Sequence, residues 1–166
     1  MKIKKLKHNA YAVTLLKSEI AYDVEIASYK IAKTHLAEST NQQQHEAVVN
    51  EEVNDWLERT IETAWAKVRR TLGFCVRDYD IMTDDEIIVS KPSWSIALYM
   101  ENGWLGNAET LCNLIHDYVA KFCISEWLLM VMPTRAAEYA ALADISLDQA
   151  LSEARSVEIE PEFYRF

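Results

Sequence analysis

NAETLCNLIHDYVAKFCISEWLLMVM, running from Asn107 to Met132, reads as helix from end to end. Asn107 suits an N-cap, because a short side-chain oxygen accepts from the unpaired N–H groups of a first turn. Glu109 puts negative charge where the helix dipole favours it. Leu111, Leu114, Ile115, Tyr118, Val119, Phe122, Trp127 and Leu129 cover most of its circumference. A helix apolar on nearly every side is a buried helix, so this one is expected at the centre of the core. Pro133 lacks the N–H that would continue it and begins a new element.

Beyond Pro133, Ala136 to Ala143 is alanine-rich and fits a short, closely packed helix. Ser146, with Gln149 three residues on, forms a capping box that opens a last helix to about Ser156. Upstream, Met1 to Leu72 contains neither glycine nor proline. Such a stretch lacks the usual turn residues and predicts long helices. Val13, Leu16, Ile20, Val24, Ala27 and Ile31 form one apolar stripe of a helix over about 9–38, and Tyr11, Leu15, Tyr22, Ile26 and Tyr29 a second. Two stripes predict a helix contacted on two faces. Ser39 to Gln44 is the turn to a second helix over about 45–72, whose stripe includes Val53, Trp56, Leu57, Ile61, Ala64 and Val68. Gly73 stands at its C-cap, and Lys67, Arg69 and Arg70 complement the dipole of its last turn.

Residues 74–106 change character. Glu86 to Ser90 is β-branched, and Trp94, Ile96, Leu98 and Met100 alternate with Ser95, Ala97 and Tyr99. Period two across a turn with Pro92 predicts a small β-hairpin at 86–100; a short helix capped by Ser93 is the alternative. The expected fold is therefore mostly α, a helical bundle of three long and two short helices with that hairpin. One domain spans 1–166, with a basic N-terminal arm at 1–8 and an acidic C-terminal tail at 157–166.

Composition bounds the function. The chain carries a net charge of −9, but residues 1–33 hold seven lysines against three acids, while 34–166 hold ten basic groups against 23 acidic ones. An acidic body is a poor partner for nucleic acid, whose phosphates need clustered Lys and Arg. A basic arm on that body suits docking to an acidic neighbour. No apolar run approaches the ~20 residues of a membrane span, Ile124 to Met132 being the closest and interrupted by Glu126. A cytoplasmic location is expected, with no membrane partner. Cys75, Cys112 and Cys123 are an odd set. Cys112 and Cys123 lie ~16 Å apart along one helix, too far to bridge, so buried thiols are expected.

The chemistry-bearing patterns are thin. His8, His35, His45 and His116 are preceded three residues earlier by Lys5, Ala32, Gln42 and Asn113, so no Glu-x-x-His di-iron motif exists. Asp78 to Glu86 is acidic, but Thr83 and Val89 stand where a calcium loop needs glycine and glutamate. Glu51, Glu52 and Asp55 resemble the first half of the magnesium cluster of all-helical nucleotide pyrophosphohydrolases; the second half, Glu-x-x-Asp, is missing downstream. No cofactor, metal or catalytic group is assigned. Among the aromatic residues, Trp65 lies beside its helix stripe and Trp104 sits in a glycine-flanked turn, which marks both as partner contacts.

Trp94-x-Ile-x-Leu-x-Met100, Leu111-x-x-x-Ile115-His116-x-Tyr118, Trp127-Leu-Leu129 and Pro133-x-x-Ala136-x-x-Tyr139 resemble small helical neck or head–tail connector proteins of tailed phages and prophages of gut bacteria. The resemblance covers roughly 94–155. It departs where such proteins end in an Arg-rich segment, since this chain ends with Glu158, Glu160 and Glu162. The resemblance implies a ring-forming structural component, with a place in the virion. The leading expectation is a non-enzymatic assembly protein that self-associates or joins other virion proteins. Its contacts would come from Lys2, Lys4, Lys5, Lys7, Trp65, Trp104, Phe163, Tyr164 and Phe166. Two alternatives stay open: a magnesium-dependent nucleotide pyrophosphohydrolase, and a helical adaptor for a cellular protein.

Overall fold

Lys2–Lys7 (β1) and Ala10–Leu16 (β2) pair as an antiparallel hairpin in the computed structural model, which describes residues 1–7, 9–35, 54–77 and 92–157. This corrects two expectations: residues 2–7 of the basic arm are a paired strand, and no helix begins at residue 9. Val13 and Leu16 fit helical spacing, while Tyr11, Val13 and Leu15 fit strand spacing equally well. Seven residues cannot separate the two periods. A distant partner decides. Ser93–Tyr99 (β4) runs antiparallel along the whole of β2, from Ala10↔Tyr99 to Leu16↔Ser93. Asn9 closes the hairpin at φ 59°, a left-handed conformation that asparagine tolerates. Its side-chain amide donates to Asn102 Oδ1 at 3.2 Å, tying the hairpin to the loop after β4.

Val76–Arg77 (β3) completes a four-stranded antiparallel sheet of order β1-β2-β4-β3. The predicted alternation in 94–100 holds for one row, with Trp94, Ile96, Leu98 and Met100 buried; in the other row Ser95 is exposed, but Ala97, opposite Ala12, is buried and Tyr99 half-buried. The partners of this strand are β2 and β3, while residues 86–91 lie outside the described residues.

Lys17–His35 (α1) follows β2 directly, and the Lys17 N–H bonds Pro92 O at 3.0 Å where strand becomes helix. Ile20, Val24 and Ile31 turn into the core. The second predicted stripe is split: Leu15 is buried and Tyr11 packs against the core from β2, while Tyr22 and Tyr29 on α1 are 63% and 55% exposed. In Asn54–Thr71 (α2), Leu57, Ile61, Ala64 and Val68 are buried as expected. Trp65 is buried with them at 5% exposure, which corrects its assignment to a partner contact. It falls one turn after Ile61 and three residues before Val68, inside the stripe rather than beside it.

Ala108–Val131 (α3) is the central helix. Asn107 Oδ1 accepts from the N–H groups of Glu109 at 2.8 Å and Thr110 at 3.1 Å, as its cap position requires. Ile115, Tyr118, Val119, Cys123 and Leu128 have no exposed surface. The helix packs against α1, α2, β1 and β2, and most extensively against Pro133–Ala154 (α4). Met132 alone joins α3 to α4, with φ −147° and ψ 70°. Pro133 takes the first helical turn, where its missing N–H costs nothing.

The structure overturns the division of 133–156 into two short helices, since α4 is continuous. Ser146 is no cap. It is 2% exposed in mid-helix, where its Oγ lies 2.8 Å from Asp117 Oδ2 and 3.0 Å from Lys121 Nζ. A hydroxyl bound by an ion pair of the facing helix needs no helix start to satisfy it. Small buried residues at Ala136, Ala143, Ala150 and Ala154 let α4 lie close along α3.

Candidate assembly interface

The order of the sheet leaves β1 as its terminal strand, and no described residue pairs with its outer edge. Opposed residues of an antiparallel pair share a face. Lys2 lies opposite Thr14 and Lys4 opposite Ala12, so both belong to the face away from the helices. The same face carries the contact between Thr14 Oγ and Ser95 Oγ at 2.9 Å. Ile3 lies opposite Val13 and Lys5 opposite Tyr11, on the helix side. A register shift between Lys5 and Lys7 bends the end of the strand, and Lys7 pairs with Ala10. Lys2 to Leu6 are all exposed. An open edge lined with lysines repels its own image and attracts an acidic strand.

The opposite end of the chain is anchored near the hairpin turn. Trp104 packs edge-on against Tyr11, with ring centroids 5.6 Å apart at 61°. Its Nε1 donates to Glu153 O at 2.9 Å. Leu105 N–H bonds Ser156 O at 2.8 Å, Asn107 N–H bonds Glu153 Oε1 at 2.6 Å, and Trp104 forms an antiparallel bridge with Val157. Gly106 is required there by close approach: a Cβ would sit 2.5 Å from Trp104 Nε1 and 2.6 Å from Glu153 O. Trp104, expected at a partner contact, is half-buried and holds the root of the acidic tail. Phe163, Tyr164 and Phe166 lie outside the described residues, as do Glu51 and Glu52.

A cleft of about 310 Å³ opens between α1 and α3, lined by Met1, Glu19, Tyr22, Asp23, Asn113 and His116. His116 Nε2 meets Asp23 Oδ2 at 2.7 Å, and the Met1 ammonium contacts the Glu19 carboxylate. Sequence spacing offered no reason to pair His116 with a residue 93 positions away. The pair links α1 to α3 across the cleft. Among the described residues, no group of three or more His, Cys, Asp or Glu is placed to hold a metal ion. Asp55 stands exposed in the first turn of α2. The cysteines are free and buried, and burial pushes the Cys75 thiol up to about 11 and raises those of Cys112 and Cys123. Thiols held protonated in this way are poor nucleophiles.

No protein-family model, no curated protein and no solved structure matches the chain. No helix among the described residues is long and apolar enough to cross a membrane. Of the sequence-derived contacts, the structure gathers Lys2, Lys4, Lys5 and Lys7 on one sheet edge. It removes Trp65 to the core and assigns Trp104 to an internal anchor. Ile3 and Leu6, each 36% exposed on β1, are the edge residues that sequence reasoning missed. Their signal is the apolar interruption of Lys2-Ile-Lys-Lys-Leu-Lys7.

Proposed function

We propose that this chain is a non-enzymatic structural component that self-associates, of the kind found in the neck or head–tail connector of tailed phages. The observation that carries the proposal is the open, lysine-lined edge of β1 on a chain whose net charge is −9. A sheet edge is a ready template for another strand, and its charge selects an acidic partner over a second basic edge. Other copies of the chain, or other virion proteins, supply such a partner. The exposed Tyr22 and Tyr29 on α1 give a second patch of aromatic surface of the sort concentrated in protein interfaces.

Light scattering on a size-exclusion column, at low and high salt, tests this. The wild type is expected to form a defined oligomer that loosens as salt rises, because exposed charge pairs are screened. The combined Lys2→Glu, Lys4→Glu, Lys5→Glu, Lys7→Glu variant is expected to stay folded and lose assembly. Assembly unchanged in that variant would remove the electrostatic basis of the proposal.

A further inference from the structure

Lys2-Ile3-Lys4 on β1 and Glu158-Ile159-Glu160 beyond α4 carry one pattern with opposite sign: charge, isoleucine, charge. The pattern is the same read in either direction. Paired as strands in parallel or antiparallel sense, both acids fall opposite both lysines and the isoleucines oppose each other. Ile3 lies opposite Val13, so an added Ile159 would extend the apolar row of the helix-facing side. Glu158 and Glu160 would extend the row of Lys2 and Lys4 on the other side. Pro161 cannot donate a ladder hydrogen bond and sets the end of the paired segment.

We infer that residues 157–160 of one copy add as a strand to the open edge of β1 in a second copy. The inference rests on the self-association proposed above and names its contact. Three observations carry it. Val157 already leaves α4 in a bridge with Trp104, so the segment starts from extended backbone. Lys2 to Leu6 are all exposed, and no described residue of the same copy pairs with the outer edge of β1. The acids are matched to the lysines in both sign and period. Donor segment and acceptor edge are different surfaces, so the contact is head-to-tail, and repetition closes a ring if the rotation per copy allows.

A charge-swap experiment tests it, read by light scattering on a size-exclusion column at low salt, with circular dichroism to establish that each variant is folded. Lys2→Glu with Lys4→Glu is expected to be monomeric, and Glu158→Lys with Glu160→Lys likewise. Mixed in equal amounts, the two are expected to assemble, because each tail then meets an edge of opposite sign. The chain carrying all four substitutions is expected to assemble alone. Ile159→Pro, which leaves every charge in place and removes one N–H from the segment, is expected to weaken association at least tenfold. If the wild type assembles but the swaps neither abolish nor restore assembly, the strand contact is wrong and self-association stands. If the wild type is monomeric at every concentration, self-association itself fails, and the strand contact with it.

Discussion

Gly106→Ala tests whether the tail root is held as described. The new Cβ would fall 2.5 Å from Trp104 Nε1, 2.6 Å from Trp104 Cε2 and 2.6 Å from Glu153 O. Glu153 O is main chain at the end of α4, and the Trp104 ring is backed by Tyr11, so neither neighbour retreats cheaply. Overpacking of this kind costs ~1–3 kcal/mol. The Trp104 Nε1 to Glu153 O hydrogen bond at 2.9 Å lies beside the clash, and its loss adds about 1 kcal/mol. Replacing glycine restricts the unfolded chain and returns ~0.4–1 kcal/mol. The net expectation is a loss of roughly 1–4 kcal/mol, which for a chain of this size lowers Tm by roughly 2–16 °C. Thermal denaturation followed by circular dichroism measures it, and tryptophan fluorescence should report the displaced ring. A Gly106→Ala protein melting within about 1 °C of wild type would refute the packing of this loop against α4.

Leu98 is wholly buried near the end of β4, flanked by β2 and β3, and Leu98→Ala is expected to cost ~2–5 kcal/mol in urea denaturation. Asn107→Ala removes the acceptor of two first-turn N–H groups and should cost about 1 kcal/mol, while Asn107→Asp should retain most of it. Ser146→Ala leaves Lys121 and Asp117 paired with each other at 2.5 Å, so its measured cost should be smaller than that of Leu98→Ala. The Cys75 thiol titrates near 9.0 when unfolded and near 11 when folded, so above pH 9 the unfolded chain holds fewer protons than the native one. Its stabilisation is complete below pH 9 and declines toward pH 11 by roughly 1.4 kcal/mol per pH unit. Urea midpoints at pH 8 and pH 10 should fall accordingly, and less steeply in Cys75→Ala; equal slopes would exclude the thiol as the source.

Much of the helical half could be read from local rules. The span of α3 follows from Asn107 at one end and Pro133 at the other, because a cap and a missing N–H act within a single turn. The stripe of α2 follows from 3.6-residue spacing, and buried Trp65 shows that it is wider than the row of Leu57, Ile61, Ala64 and Val68 alone. Ser146 misled for the converse reason. A Ser-x-x-Gln pattern marks a helix start only where N–H groups are unpaired, and here Asp117 and Lys121 on the neighbouring helix supply the hydroxyl with partners.

The candidate interface was half legible. Charge asymmetry placed Lys2, Lys4, Lys5 and Lys7 together on composition alone, but nothing local made them a sheet edge. That required β2 to pair with a strand more than 75 residues away, and pairing at such separation leaves no periodic trace distinct from a short amphipathic helix. The sequence by itself determined the capped and proline-bounded helices, the buried thiols and the uneven charge, because each depends on residues within a few positions. Tertiary structure alone decided that 10–16 is a strand, that His116 meets Asp23, and that Trp104 anchors Val157. Those outcomes depend on which distant groups arrive to satisfy a backbone edge, a ring nitrogen and an indole N–H.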